Sequence, residues 1–476
     1  MEKNFYITTT IFYPNAELHM GHAYNVTLCD ILARYHRLIK EPTYLIAGAD
    51  ENTSKIIKIV KEKNQTIEEY LKEITDKFKN LYKELDISYD QFIQTSDKKK
   101  HWPGVTALWN KLVEAQDIYK SKYVGLYCIG CETFYTEKDL IGGKCPIHLT
   151  IPEKIEEENY FFRLSKYTEK IKQKIENNEL NIFPTSRKNE ILALLKRGLE
   201  DISFSRPIKN VPHGIPVPND PNQVIYVWSD ALVSYISVLG YGQSDQSLFE
   251  KFWPASVHVI GKDILRFHAA IWPAILLSAG LPLPKSLLVH GFITSDGHKM
   301  SKSLGNVINP LEFISQYGKD AVRYYFAREL SLFEDSDLTK EKFRKVYNAN
   351  LANGLGNLVS RIMKMAQDNL DKPVPISEWE DMSAYFNFLD NYEINKACDY
   401  VWLQIGLLDQ EIQETEPFKV IKVDKEVGRK MISGLVIKLY SIARMLNPIM
   451  PETSERIIEL IKQNKSPEMP LFVRKD

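Results

Sequence analysis

β-Branched and aromatic side chains fill positions 5–11, the composition of a buried strand. The turn sequence Tyr13-Pro14-Asn15-Ala16 follows. Tyr24, Leu28, Ile31, Tyr35 and Leu38 then recur at steps of four and three, which predicts an amphipathic helix starting near His19. The pattern repeats where Tyr44-Leu45-Ile46-Ala47 leads into Gly48-Ala49-Asp50. It resumes at Tyr226-Val227-Trp228, at Val257-His258-Val259-Ile260-Gly261 and at Leu287-Leu288-Val289-His290. This alternation predicts an α/β fold with a doubly wound, Rossmann-like parallel sheet, whose ligands lie beyond the carboxyl ends of the strands. His19 and Asp50 both fall at such ends.

Residues 119–152 interrupt this rhythm with short aromatic strands and a cluster of cysteines. Beyond about residue 340 helical periodicity takes over to the end. The expected division is therefore a first half of a nucleotide-binding catalytic domain at 1–115 and a connective insertion at 116–222. The second catalytic half would span 223–340, and a C-terminal α-helical bundle 341–476. Neither an internal repeat nor a low-complexity linker is present.

Composition narrows the choice of partners. Apolar residues make up 44% and charged residues 26% of 476, ordinary values for a globular chain with a sizeable core. With 61 basic and 62 acidic residues the net charge is −1, so any nucleic acid must meet a local basic face. The first residues resemble no signal or transit peptide, and no apolar run is long enough to span a bilayer, which predicts a cytoplasmic protein without a membrane partner.

Two segments carry candidate chemistry. His19-Met20-Gly21-His22 places two imidazoles on one face of a helix start, where unpaired N–H groups and the positive dipole end favour phosphate. Gly21, lacking a Cβ, leaves room for an adenine ring against the backbone. The segment alone also allows two surface histidines and a helix-packing glycine. The second segment, Lys299-Met300-Ser301-Lys302-Ser303, follows the apolar run 287–293 and the turn sequence Thr294-Ser295-Asp296-Gly297. It precedes Asn309-Pro310-Leu311-Glu312, a cap, a first-turn proline and a returning glutamate. The loop is thus pinned at both ends, with Ser301, Ser303 and Gly305 keeping its middle pliable. Lys299 and Lys302 could swing onto pyrophosphate oxygens, where charge accumulates in a transition state. A solvated charged loop is the alternative.

Three of five cysteines crowd one stretch, while Cys29 and Cys398 stand apart as expected buried thiols. Cys128-Ile129-Gly130-Cys131 and Cys145-Pro146-Ile147-His148 form two pairs with two-residue gaps. Three thiolates and one imidazole fill a tetrahedral site with no open position, so one structural zinc is expected. A redox Cys-x-x-Cys reading leaves Cys145 and His148 unexplained.

Taken together, these segments resemble the class I aminoacyl-tRNA synthetases, and most of all the methionine-specific branch of that family. The resemblance covers residues 5–330 and is weaker beyond. It is carried by Tyr13 through His22, Gly48-Ala49-Asp50-Glu51, the cysteine insertion, Arg197-Gly198-Leu199-Glu200-Asp201-Ile202-Ser203, Tyr226-Val227-Trp228-Ser229-Asp230-Ala231 and Gly261-Lys262-Asp263-Ile264 running to Phe267-His268 and Trp272-Pro273. The leucyl, isoleucyl and valyl branches usually carry a large editing insertion, for which this chain has no room. The cysteinyl branch lacks this knuckle.

The resemblance implies ATP, with Mg²⁺, held by His19, Gly21, His22, Gly261, Asp263, Lys299 and Lys302. His19, His22, Lys299 and Lys302 would be the catalytic set. It implies a methionine side chain among Ile11, Tyr13, Trp228, Ala231, Tyr235, His268 and Trp272, with Asp50 receiving the ammonium group. Aromatic walls suit a thioether. Asn357, Arg361 and Phe418 match anticodon-binding positions, so methionine tRNAs, initiator and elongator, are the expected partners. Three departures stand out. Asn52-Thr53 replaces the family's usual His-Gly, Asp409 and Glu411 replace its Asn and Tyr, and Pro417-Phe418 replaces Pro-Trp. The resemblance includes no additional C-terminal tRNA-binding domain, which predicts a monomer. A non-catalytic tRNA binder would have no use for the histidine and lysine pairs, and another nucleotidyl-transfer enzyme none for the helical region and knuckle.

Overall fold

A computed structural model of the chain describes residues 4–14, 18–130, 133–135, 137–146, 149–295, 297–299, 308–376 and 381–476. It forms two compact units. One comprises residues 1–18, 41–80 and 88–290, the other residues 19–40, 81–87 and 291–476.

The first unit is built on a six-stranded, wholly parallel sheet. Its strands are β1 (Phe5–Thr8), β2 (Thr43–Ala49), β3 (Gln91–Gln94), β4 (Asn181–Phe183), β5 (Val257–Gly261) and β6 (Ser286–His290), in the order β3-β2-β1-β5-β6-β4. Every residue of β1, β5 and β6 is buried, as strands covered on both faces must be. The order reverses between β1 and β5. That is the switch point where a crevice opens beyond the strand ends. A single core of aliphatic and aromatic residues runs from Tyr6, Ile46 and Ile260 to Trp253 and Trp272.

The insertion forms its own antiparallel sheet from strands Thr133–Tyr135, Ile118–Cys128, Glu153–Phe162 and Ile202–Ser203. Its long ladder pairs Ile118 with Phe162 at one end and Tyr127 with Glu153 at the other. Strands Ser205–Pro207, Pro216–Val217 and Asp220–Ile225 make a further small antiparallel sheet.

Two sequence expectations need correction. Tyr226-Val227-Trp228 is not a strand of the parallel sheet; the central strand of the small antiparallel sheet ends at Ile225, and Val227–Ala231 is a short helix behind Tyr226. Aromatic, β-branched composition suits a buried helix as well as a strand when only three residues are read. The first strand stops at Thr8 and not Ile11, and pairing resumes only as an isolated bridge between Phe12 and Ala49.

In the second unit, the helix Met20–Leu38 buries 15 of its 19 residues, Asn25, Thr27, Asp30 and His36 among them. The expected amphipathic helix therefore has no wet polar face. Asp30 explains how it can be so. Its carboxylate accepts from Arg34 Nε at 2.7 Å and from Arg323 Nη2 at 2.7 Å, and both Asp30 and Arg323 are fully buried. Arg323 also donates to the carbonyls of Leu85, Pro448 and Ile449 at 2.9–3.1 Å. From Lys340 onward this unit is helical. It includes Asn357–Asn369, Ile394–Thr415, Lys425–Leu446 and Pro451–Gln463. No described helix is long and apolar enough to cross a membrane.

Removing one partner of a buried pair strands the other's charge. Asp30→Ala should cost about 3–5 kcal/mol in guanidinium unfolding followed by circular dichroism. A loss under about 1 kcal/mol would show that Arg323 is neutralised by its carbonyl partners alone.

Candidate active site

His19 is the cap of the Met20–Leu38 helix, and its Nδ1 accepts from Gly21 N–H at 3.0 Å. His22 reaches back so that its Nδ1 accepts from His19 N–H at 3.1 Å. The two rings lie 3.9 Å apart between centroids. A Cβ on Gly21 would come within 2.9 Å of the His19 ring, so this glycine is needed for the ring to fold back over the helix end. His22 N–H and Ala23 N–H donate to His19 O. Most first-turn donors are thereby satisfied internally, and the open backbone seat expected for phosphate is replaced by two imidazole edges. Burial, then the neighbouring His19, holds the His22 pKa well below the ordinary value, so its ring is neutral. With its Nδ1 accepting, the neutral His22 ring carries its hydrogen on Nε2.

In the first unit, the residues assigned to methionine form two aromatic groups. Tyr13 meets Trp228 edge-on at 6.0 Å, and Phe267 stacks on Trp228 at 3.6 Å. Tyr235 meets Trp272 edge-on at 6.3 Å and donates its hydroxyl to His268 Nε2 at 2.8 Å. His268 Nδ1 lies 3.0 Å from Ile264 O, which fixes the tautomer so that Nε2 must accept. Ile264 and Phe267 pack against both groups, and Ile11 packs with the second. Ala231 is buried at the end of the short helix carrying Trp228.

Asp50 stands one residue past β2, 2% exposed, with its N–H donating to Phe12 O at 3.0 Å. The next residue is held still more firmly. Glu51 N–H donates to Thr95 Oγ1 at 2.7 Å, and its carboxylate accepts from Thr75 Oγ1, Gln94 Nε2 and Ser96 Oγ. Burial nonetheless raises the Glu51 pKa. Gly261 closes β5, and Asp263 lies exposed on the following turn, Lys262–Ile264.

Lys299 is described in its backbone only, paired with Thr294 across a hairpin whose turn uses Gly297 at φ +75°. Asn309 caps Pro310–Tyr317 through Leu311 N–H at 2.9 Å, and Lys302 lies outside the described residues. Cys128 and Cys145 are buried together in a small cluster with Tyr135, whose hydroxyl lies 3.7 Å from Cys145 Sγ; Cys131 and His148 lie outside the described residues. Among the described residues no three potential metal ligands come together. Cys29 and Cys398 are buried thiols.

Asn357 opens the helix Asn357–Asn369, and Arg361 follows one turn later; both are exposed, and Phe418 is 40% exposed. Arg361 is paired with the carboxylate of Asp409, which also accepts from Gln413 at 2.6 Å. Glu411 pairs with Lys438 at 2.6 Å. The two departing acids are therefore both bound to neighbouring side chains.

Comparison with known proteins places this geometry. The family described as tRNA synthetases class I (M) matches residues 5–151 and 138–363. The methionine–tRNA ligase of Caldanaerobacter subterraneus is 40% identical over 96% of this chain and 74% of its own length. That of Thermotoga maritima is 39% identical over 97% and 76%. Among solved structures, Mycobacterium tuberculosis methionyl-tRNA synthetase in complex with methionyl-adenylate aligns with a TM-score of 0.90 at 34% identity, covering 96% of this chain and 93% of that one. The chain belongs to the methionyl-tRNA synthetases of class I.

Several residues of this site were not anticipated from sequence. Phe267 adjoins His268 in the chain, yet nothing in its spacing announced the stack on Trp228. Asp230 lies fully buried between His101 and Asn52, residues 129 and 178 positions away in the chain. Pairings at that separation leave no periodic trace.

The neutral histidines predict acid sensitivity. Burial lowers the His268 pKa from 6.5 to about 4. As pH falls from 6.5 towards 4 the unfolded chain therefore takes up more protons than the folded one, and stability is lost, by up to roughly 3 kcal/mol from this ring. His268→Gln should flatten that acid limb in denaturation at pH 7, 5.5 and 4.5. An unaltered slope would assign the limb to other groups.

Proposed function

We propose that this chain works as a methionine–tRNA ligase through the residues assigned above. It activates methionine with ATP to methionyl-adenylate and passes the methionyl group to the 3′ end of methionine tRNA for protein synthesis. The observation that supports the assignment of roles is the locked histidine pair: two imidazoles at one helix end, each tied to the backbone through Nδ1, with centroids 3.9 Å apart.

A methionine carboxylate is ionised at neutral pH, so activation needs no general base. One carboxylate oxygen attacks the α-phosphorus of ATP, the bond to the β-phosphate bridging oxygen breaks, and pyrophosphate leaves with its electron pair. His19, His22, Lys299 and Lys302 hold the triphosphate while charge builds on it, and Gly21, Gly261 and Asp263 contact the nucleotide. Mg²⁺, when bound, supplies charge neutralisation on the phosphates. Asp50 receives the methionine ammonium group. Ile11, Tyr13, Trp228, Ala231, Tyr235, His268 and Trp272 enclose the side chain, the sulfur gaining about 0.3–1.5 kcal/mol from ring contacts.

The donor set at the insertion fits zinc. Cys128 and Cys145 are packed into one cluster, and Cys131 and His148 supply the remaining thiolate and imidazole of a closed tetrahedral set. That ion would stiffen a segment whose described residues form only a small cluster of Cys128, Tyr135 and Cys145 with Leu140 against it. Residues 341–476 read the anticodon, with Asn357 and Arg361 at base edges and Phe418 stacking.

Amino-acid-dependent exchange of pyrophosphate into ATP tests the reading. Methionine alone should support it. Exchange with another acid would point to a different substrate, and no exchange to a tRNA binder. Lys302→Ala should lower the exchange rate by about 10²–10³-fold while the methionine KM stays within about twofold. Equal losses in both would refute its role at the phosphates. Metal analysis should find one zinc per chain, lost in Cys145→Ala. A zinc-free wild-type chain that keeps its melting temperature would overturn the knuckle.

A further inference from the structure

Asn52 occupies the position where the family usually places histidine, and the structure gives its side chain definite work. Its Nδ2 donates to Asp230 Oδ2 at 2.6 Å and to Thr95 O at 3.0 Å. Both partners are acceptors, so the orientation of the amide is fixed, and its Oδ1 meets no donor among the described residues. The other carboxylate oxygen of Asp230 lies 2.5 Å from His101 Nε2, and His101 Nδ1 lies 2.8 Å from Ser237 Oγ. Asn52 is 3% exposed; Asp230, His101 and Ser237 are fully buried.

The placement of these residues goes beyond packing. Asn52 is two residues past Asp50, on the segment that follows β2. Asp230 sits between Trp228 and Ala231 on the five-residue helix Val227–Ala231. The Asn52–Asp230 bond therefore joins the segment proposed to receive the methionine ammonium group to the helix proposed to wall its side chain. Thr95 fastens the same segment from behind. Its N–H donates to Ala49 O at 3.2 Å, its hydroxyl accepts from Glu51 N–H, and its carbonyl accepts from both Asn52 and Trp102. The helix, by contrast, is a little over one turn long and has no side-chain cap. Asp230 is its side-chain anchor, held by His101 on one oxygen and Asn52 on the other.

We propose that Asn52, Asp230 and His101 form a positioning relay for methionine, setting the distance between the ammonium site at Asp50 and the aromatic wall at Trp228. The inference rests on the ligase reading. Asn52 acts through Asp230 and is a positioning residue, as is His101. The relay acts on amino-acid recognition and leaves ATP recognition alone, because Asn52 and Asp230 join the two elements proposed to carry methionine contacts and His101 holds Asp230 in place. An asparagine serves here because the task is to donate a hydrogen bond to a carboxylate, which either an amide or an imidazole can do.

Methionine-dependent ATP–pyrophosphate exchange by the full chain tests this, with methionine and ATP varied separately. Asn52→Ala leaves Asp230 bound to His101, so the variant should fold with a melting temperature near that of the unaltered chain. Its methionine KM should rise about tenfold or more while the ATP KM stays within about twofold. Asp230→Asn should show the same split, and the double variant should be no worse than the poorer single one. Asn52→His should recover most of the methionine KM. An unchanged methionine KM in Asn52→Ala overturns the relay, as does a parallel rise in both KM values or full multiplication of the two single effects. Loss of stability with no KM split assigns the residues a structural role and overturns it equally. Absence of exchange in the unaltered chain instead overturns the ligase reading, and the relay with it.

Discussion

Asp230 and Glu51 take two carboxylates out of water close to Asp50, and a charge there is tolerable only when its oxygens are met by donors. That demand organises the region. Glu51 draws Thr75, Gln94 and Ser96 around it, and so ties a helix and the end of β3 to the segment leaving β2. Asp230 draws His101 and Asn52 from opposite sides and so fastens a helix too short to hold its own geometry. The second unit repeats the logic. Asp30 can sit in the middle of a buried helix because Arg323 and Arg34 close around it, and Arg323 in turn collects three carbonyls from distant turns. Apolar burial supplies the bulk of the cohesion, but these polar knots decide which backbone segments lie beside which.

Much of the parallel sheet was legible in the sequence because buried strands of this kind write themselves as continuous apolar runs. Residues 44–47, 257–261 and 287–290 are all strand. Where legibility failed, the physics was local ambiguity. Tyr226-Val227-Trp228 has strand composition and helical geometry, since three buried residues cannot display a period. The helix behind His19 was found by its apolar spacing, but its buried polar side was invisible, for nothing in the stretch around Asp30 reveals an arginine nearly three hundred residues on.

The site shows a similar split. Positions at strand ends, such as Asp50 just past β2 and Gly261 at the end of β5, could be placed from the chain alone. Contacts made by tertiary pairing could not. The hydrogen bond between Tyr235 and His268 spans 33 residues, and Phe267 reaches Trp228 over 39 (267 − 228). Substitutions that looked like plain departures acquire partners once folded: Asn52 meets Asp230, Asp409 meets Arg361, and Glu411 meets Lys438. Any ligand that is to reach the Arg361 guanidinium must first displace the Asp409 carboxylate.

The imidazoles at the Met20–Leu38 helix start carry two duties at once. One is closing the helix end through Nδ1; the other is the nucleotide role proposed for them. Truncating either ring to a methyl group is consequently a confounded experiment, because fraying and donor loss arrive together. Asparagine at position 19 separates them: it can still cap, but it is too short to fill the nucleotide role.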